Sequence, residues 1–252
     1  HTQAIPRIGG LALGFVYMIC LVLFGFAKDL WWYLAGAIPL FIMGAVDDHK
    51  SIRWPLKLVV ELAVSSIIIF RFIEEVTSIS FFASSLSFST MGLIAVFLIW
   101  FVGILNAVNL IDGMDGLAGG FMFLITVFSV IMGMVNGNEN FLIVNMLLLG
   151  PLVGFLLFNR KPAKFFMGDS GSLFLGYSVA VLSIWIPGTQ AGTQSILPLL
   201  ILAVPIIDTT FTVFRRLLKG IPFYSADNDH LHHRLISKGF SPPLAMVFLV
   251  FN

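Results

Sequence analysis

Acidic and amide side chains recur in this sequence where apolar stretches end. Asp47-Asp48 closes one stretch, Asn106, Asn109, Asp112 and Asp115 close another at a constant spacing of three, and Asp169 stands in Gly168-Asp169-Ser170-Gly171. Basic side chains accompany them: Lys50, Arg53 and Lys57 follow the aspartate pair, and Arg160, Lys161 and Lys164 precede Gly-Asp-Ser-Gly. Carboxylates gathered on one face repel each other unless a cation lies between them, and oxygen ligands of this kind suit a hard divalent ion such as Mg²⁺. Cations beside such acids hold phosphate. The chemistry that combination suggests is metal-assisted work on phosphorylated reactants.

Each group has a plainer reading beside it. Asp47-Asp48 with its trailing cations also suits a helix stop whose lysines snorkel to lipid headgroups. On a continuing helix the i, i+3, i+6, i+9 array from Asn106 to Asp115 shares one face, while Gly113, Gly116, Gly119 and Gly120 also fit a polar helix end with a glycine turn. In the segment from Asn159 to Ser172, free amides at a helix N-terminus after a basic loop favour an anion or a metal-bound phosphate. His230-Leu231-His232-His233-Arg234 leaves three readings open: a zinc site, for which the spacing is poor, a structural loop, or substrate binding and proton handling. Asp208, two turns before Arg215-Arg216, suits pairing with a neighbouring helix as well as a direct role.

The elements that must position these residues are set by the solvent. Apolar residues make up 58% of the 252 and charged residues 11%, with a mean hydropathy of +1.00. Soluble domains carry about 25% charged residues, so the bilayer must supply what the polar surface lacks. Apolar runs of spanning length occur near 11–27, 30–46, 58–72, 91–111, 118–135, 141–158, 171–187 and 195–214, with a partial run from about 243. In lipid these must be helices. The expectation is an all-α, polytopic transmembrane bundle of eight full spans plus a partial one, in a single domain over 1–252. The 58–72 run is the weakest, being short and broken by Glu61. The only cysteine, Cys20, reads as a packed small hydrophobe, and the net charge of +1 gives no sign of a nucleic-acid partner.

Twelve of the fourteen Lys and Arg fall in alternate connections, 1–10, 47–57, 112–117, 159–170 and 215–242; only Lys28 and Arg71 fall in the others. The positive-inside rule places the basic set in the cytoplasm. The acids and amides singled out above lie at the same ends. A transporter that relays ions through intramembrane acids predicts acids spread through the bilayer depth, and a non-catalytic scaffold leaves the Gly-Asp-Ser-Gly and Asn-Asp arrays without a task.

In order along the chain, Pro6-Arg7-Ile8-Gly9-Gly10, Val46-Asp47-Asp48 with Lys57, Asn106 to Gly120, Asn159 to Ser172, Pro205 to Thr209 and His230 to Leu235 resemble the polyprenyl-phosphate N-acetylhexosamine-1-phosphate transferase family. The resemblance implies ten or eleven helices, so that the first and the last one or two lie outside this sequence. It implies Mg²⁺, with Mn²⁺ as the alternative, held by Asp169 with Asn109 second. Asp47 and Asp48 correspond to the aspartate pair near the attacking lipid phosphate, and Lys57 to its phosphate-binding lysine. Asp112 and Asp115 join the catalytic set and, with Asn159, line the nucleotide-sugar site. Arg7, Asn106, Lys164, His230, His232, His233 and Arg234 are expected to bind substrate. The peptidoglycan branch tends to carry Pro-Thr-Met-Gly-Gly and three consecutive histidines; Arg7 and Leu231 depart from both. The sequence is thus more similar to the branch using UDP-GlcNAc and undecaprenyl phosphate than to the phospho-MurNAc-pentapeptide branch. A multi-pass protein of the bacterial inner membrane, its site facing the cytoplasm and a homodimer among its possible states, is what that branch implies.

Overall fold

The computed structural model describes residues 5–73, 78–81, 84–87, 89–113 and 115–185. Among them are seven helices: α1 (Gly9–Leu23), α2 (Trp31–His49), α3 (Trp54–Phe72), α4 (Thr90–Ile111), α5 (Leu117–Val135), α6 (Glu139–Asn159) and α7 (Gly168–Trp185). They follow the first seven apolar runs closely. The expected span at 195–214, the partial run after it, Asp208 and the loop carrying His230, His232, His233 and Arg234 lie outside the described residues. The all-α expectation needs one amendment. Strands β1 (Ser78–Phe81) and β2 (Ser84–Ser87) pair antiparallel between α3 and α4, with Ser78 opposite Ser87.

Local chemistry sets the helix limits. Ser89 caps α4 by accepting from the Gly92 amide, and Asn138 caps α6 by accepting from Phe141. α3 starts from an extended Arg53 with proline in its first turn. This start is earlier than the apolar run suggested, and it moves Lys57 from the connecting loop onto the first turn of the helix. α4, α5 and α6 are each long and apolar enough to cross a membrane.

α7 is the centre of the bundle, and every residue from Ser170 to Ser183 is buried. Lipid gives helices no hydrophobic reason to associate, so close approach and interhelical hydrogen bonds must do the work. The sequence of α7 is built for that. A Cβ at Gly176 would stand 3.1 Å from the Cα of Leu105 on α4. Tyr33 and Ser178 hydroxyls lie 2.6 Å apart, Tyr177 Oη donates to the Tyr33 carbonyl at 2.9 Å, and Trp100 Nε1 donates to Ser183 at 3.2 Å. Bonds of this kind contribute roughly 0.6 kcal/mol each in a bilayer, up to about 1.7. At the end remote from the aspartates, Trp32 packs edge-on against Phe72 and Trp185, and the Arg71 guanidinium lies 5.8 Å over the Trp32 ring. Aromatic and cationic anchors of this sort suit a membrane interface.

Candidate active site

The opposite end of the bundle gathers the acids. Asp47 and Asp48 occupy the last turn of α2, and because neighbours on a helix point about 100° apart they face different partners. Asp47 Oδ1 accepts the Ile52 amide at 2.5 Å, and its Oδ2 lies 2.6 Å from Lys57 Nζ. The same ammonium reaches Asp169 Oδ2 on α7 at 2.9 Å. One cation thus bridges carboxylates from two helices. Asp47 has 12% of its side chain exposed, Lys57 and Asp169 25% each, so the bridge is partly open to solvent.

Asp48 turns toward α7. Its Oδ1 accepts the Asp169 amide at 2.8 Å and its Oδ2 the Ser170 amide at 3.1 Å. Asp112, just past the end of α4, accepts the Gly168 amide. The first amides of α7 are therefore not free, as the sequence suggested, but held by two carboxylates. The reason is electrostatic: orphan donors and the positive end of the helix dipole coincide there. Gly168 makes the approach feasible. It adopts φ +71°, and a Cβ on it would sit 2.6 Å from both Asp48 oxygens. Burial, then the charges of Asp169 and Asp48, push the Asp112 carboxyl up to about 8, against the Gly168 amide and Arg7, which pull it down. Arg7 itself is exposed, on the strand-like entry whose backbone pairs with the segment before α7 (Phe166 N to Pro6 O, Gly9 N to Phe166 O, each 3.0 Å).

The Asn-Asp array does not stay on one helical face. α4 ends at Ile111, so Asn106 and Asn109 are helical while Asp112 and Asp115 stand in the turn that leads to Gly116 at φ +78°. The glycines at 113 and 116 end the helix before Asp112 and Asp115 can join that face. Asp115 Oδ2 accepts the Ala163 amide at 3.1 Å, and buried Asn159 accepts from Gly116 N and donates to the Phe165 carbonyl, both at 2.9 Å. These two residues join the α4–α5 turn to the loop before α7. Lys164 lies on that loop, exposed, with its ammonium 6.0 Å from the Phe158 ring centroid. Asn109 Nδ2 donates to Ser172 Oγ at 2.8 Å, one turn below Asp169.

One residue escaped the sequence reading. Glu61 was seen only as an interruption, yet it is 2% exposed and its Oε2 accepts from Asn106 Nδ2 at 2.7 Å. The i, i+4 spacing from Lys57 was the available signal.

Among the described residues, no group of three or more His, Cys, Asp or Glu has a ready-made metal geometry. The donor set nonetheless suits Mg²⁺, which takes one or two carboxylates and completes its shell with water and substrate phosphate. Among the described residues, Asp47 and Asp169 share the Lys57 ammonium and Asp48 lies against the start of α7, three carboxylates around one bridging cation.

Comparison with known proteins covers the same elements. The model of glycosyl transferase family 4 matches residues 30–187, α2 through α7. A probable undecaprenyl-phosphate N-acetylglucosaminyl 1-phosphate transferase of Bacillus subtilis is 34% identical over 99% of this chain and 70% of its own length. The undecaprenyl-phosphate alpha-N-acetylglucosaminyl 1-phosphate transferase of Thermotoga maritima is 32% identical over 92% and 68%, and that of Escherichia coli K12 30% identical over 99% and 70%. Similarity that runs through every helix around the bridged aspartates, and not through the bundle alone, assigns the chain to glycosyl transferase family 4, among its phosphoglycosyl transferases.

Proposed function

We propose that this protein transfers N-acetylglucosamine-1-phosphate from UDP-GlcNAc to undecaprenyl phosphate, giving a lipid-linked diphosphate sugar and UMP. It would do so at the cytoplasmic side of the bacterial inner membrane, within a bundle of eight spans and a partial ninth, as a first membrane step toward envelope polysaccharide such as O-antigen or teichoic acid. The observation that carries the reading is the Lys57 ammonium held 2.6 Å from Asp47 and 2.9 Å from Asp169 at the basic end of the bundle.

Two phosphorylated reactants repel each other, and the site must offset that repulsion. Among the described residues, Lys57 is the cation fixed between both aspartates, placed to receive an oxygen of the lipid phosphate. Asp47 is better placed than Asp48 to take a proton from that phosphate and aim its oxygen, since it faces the Lys57 ammonium that would receive the phosphate while Asp48 turns to the α7 amides. Attack in line on the sugar-linked phosphorus then expels UMP in a single displacement, with no phosphosugar on the enzyme. Asp169, with Asn109 beside it, would hold Mg²⁺, which supplies charge neutralisation for the diphosphate and the departing nucleotide. Asn159 and Asp115 fix the loop that carries Lys164, and Arg7 adds a cation on the open side. Support for the substrates comes from the names of the relatives, and for the inward orientation from the basic connections Arg7, Lys50, Arg53, Arg160, Lys161 and Lys164.

The test uses full-length protein in detergent with radiolabelled UDP-GlcNAc, undecaprenyl phosphate and Mg²⁺, and then the Asp169→Asn variant. Labelled lipid from the parent and its loss in the variant are expected. A parent that accepts UDP-MurNAc-pentapeptide but not UDP-GlcNAc refutes the donor, and full turnover by Asp169→Asn refutes the metal assignment.

A further inference from the structure

A carboxyl group within a membrane helix is expensive and asks for a reason. Glu61 lies in α3, 2% exposed, while its neighbours Val59 and Leu62 are 61% and 37% exposed. Stability alone does not supply the reason, because a packed apolar residue usually serves a buried polar pair's structural task as well or better.

The bonding pattern does. Glu61 follows Lys57 by four residues on α3, so the two share a face. Glu61 Oε2 accepts from Asn106 Nδ2 at 2.7 Å, and that same nitrogen also donates to the Val102 carbonyl at 2.9 Å. Asn109, one turn further along α4, donates to Ser172 on α7 at 2.8 Å. Ser172 is one turn from Asp169, which returns to Lys57 at 2.9 Å. The circuit closes through three helices. Its outer layer is Asp47, Lys57 and Asp169; its inner layer is the Glu61–Asn106 and Asn109–Ser172 pairs.

We propose that Glu61 is a positioning residue for the transfer: by holding Asn106 it locks the register of α3 on α4, and so fixes where the Lys57 ammonium stands against Asp169. The inference rests on the function proposed above. A lysine stem is long and flexible, so the place of its ammonium depends on where its helix sits. Asn106 thereby acts inside the bundle, with its Nδ2 already committed to Glu61 and Val102.

The experiment measures kcat and both KM values of the full-length enzyme in detergent, with Mg²⁺, UDP-GlcNAc and undecaprenyl phosphate. The variants are Glu61→Leu, Glu61→Gln, Asn106→Asp and the double Glu61→Gln/Asn106→Asp. Misplacement of a reacting group by about 1 Å costs up to about a hundredfold, so Glu61→Leu should lower kcat roughly tenfold to a hundredfold with either KM changed less than about twofold. Gln keeps an acceptor oxygen and should hold kcat within about threefold. Asn106→Asp sets two acceptors face to face and should fall with Glu61→Leu. The double variant restores a donor and an acceptor between the two helices in reversed order but leaves the Val102 carbonyl without its donor, and should recover part of the loss. A double variant no better than Asn106→Asp, a Glu61→Gln as poor as Glu61→Leu, or an effect confined to KM overturns the proposal. If Glu61→Leu does not yield a monodisperse protein, the reversed pair decides. A parent inactive on UDP-GlcNAc refutes the donor rather than this inference, and the same variants are then compared on the donor that it accepts.

Discussion

Replacing Lys57 by methionine keeps most of the stem and removes the charge. Two contacts vanish, at 2.6 Å to Asp47 and 2.9 Å to Asp169. At an effective dielectric near 20, unit charges that close attract by about 6 kcal/mol per pair before desolvation is subtracted. The net worth of a charged hydrogen bond is smaller, about 1.5–3 kcal/mol. Two of them give about 3–6 kcal/mol, and the quarter exposure of Lys57 and Asp169 argues for the lower half of that range. On the reading proposed here the ammonium meets the lipid phosphate in the transition state, so the loss falls on rate. Each 1.36 kcal/mol is tenfold, and kcat/KM should drop by roughly a hundredfold or more. The assay is transfer of labelled sugar phosphate to undecaprenyl phosphate by full-length enzyme, with the Asp47→Asn variant and the double variant completing a cycle. The double should be far less impaired than the product of the singles, since both remove one shared contact. A Lys57→Met enzyme that keeps more than about a tenth of its kcat/KM, or a strictly multiplicative cycle, would refute the bridge as the working centre.

Asp48→Ala should lower the melting temperature as well as turnover, because it releases two α7 amides now held at 2.8 and 3.1 Å; loss of a helix cap costs about 0.5–2 kcal/mol, read by thermal unfolding in detergent. Gly44→Ala should be worse than an ordinary helix substitution, since its Cβ would stand 2.5 Å from the Asp169 carbonyl and the Ser170 amide and push α7 from α2; a soluble, fully active variant would count against that contact. Asp112 is held protonated in the fold while the unfolded chain ionises near 3.8, so with EDTA present stability should fall as pH rises from about 4 to about 8 and then level off. Asp112→Asn should flatten that slope, checked as melting temperature against pH.

Much of the bundle was legible because the apolar runs of α1 to α7 are separated by polar, glycine-bearing connections, and lipid leaves no alternative to a helix. The alternation of basic connections also anticipated which helix ends meet, as the Asp48–Asp169 and Asn159–Gly116 bonds show. What sequence spacing hid was direction. Asp47 and Asp48 are adjacent and chemically identical, yet one grips Lys57 and the other caps α7; only the rotation of α2 against its neighbours separates them. The regular array from Asn106 to Asp115 suggested one helical face, but the glycines ended α4 at Ile111. Glu61 counted against a span in a hydropathy scan, although within a bundle its partner Asn106 lies on the next helix.

That separation of directions answers why a site for two polyanions should hold four acids. Asp48 and Asp112 face the start of α7 and take up its amides; they act on the helix, whose dipole places a partial positive charge against them. Asp47 and Asp169 face Lys57, leaving one cation between two carboxylates. A centre so composed is short of positive charge by about one unit, which a substrate phosphate makes worse and a divalent cation reverses. Acids that bind α7 therefore set the place of Asp169, and acids that bind Lys57 leave the negative charge that the proposed Mg²⁺ would offset. Neutralising Asp48 should loosen α7 and disturb Asp169 together, whereas neutralising Asp47 should spare α7 and weaken the hold on the lysine. Had all four aspartates opened onto a single cavity, no such division would follow, and every neutral variant would fail alike.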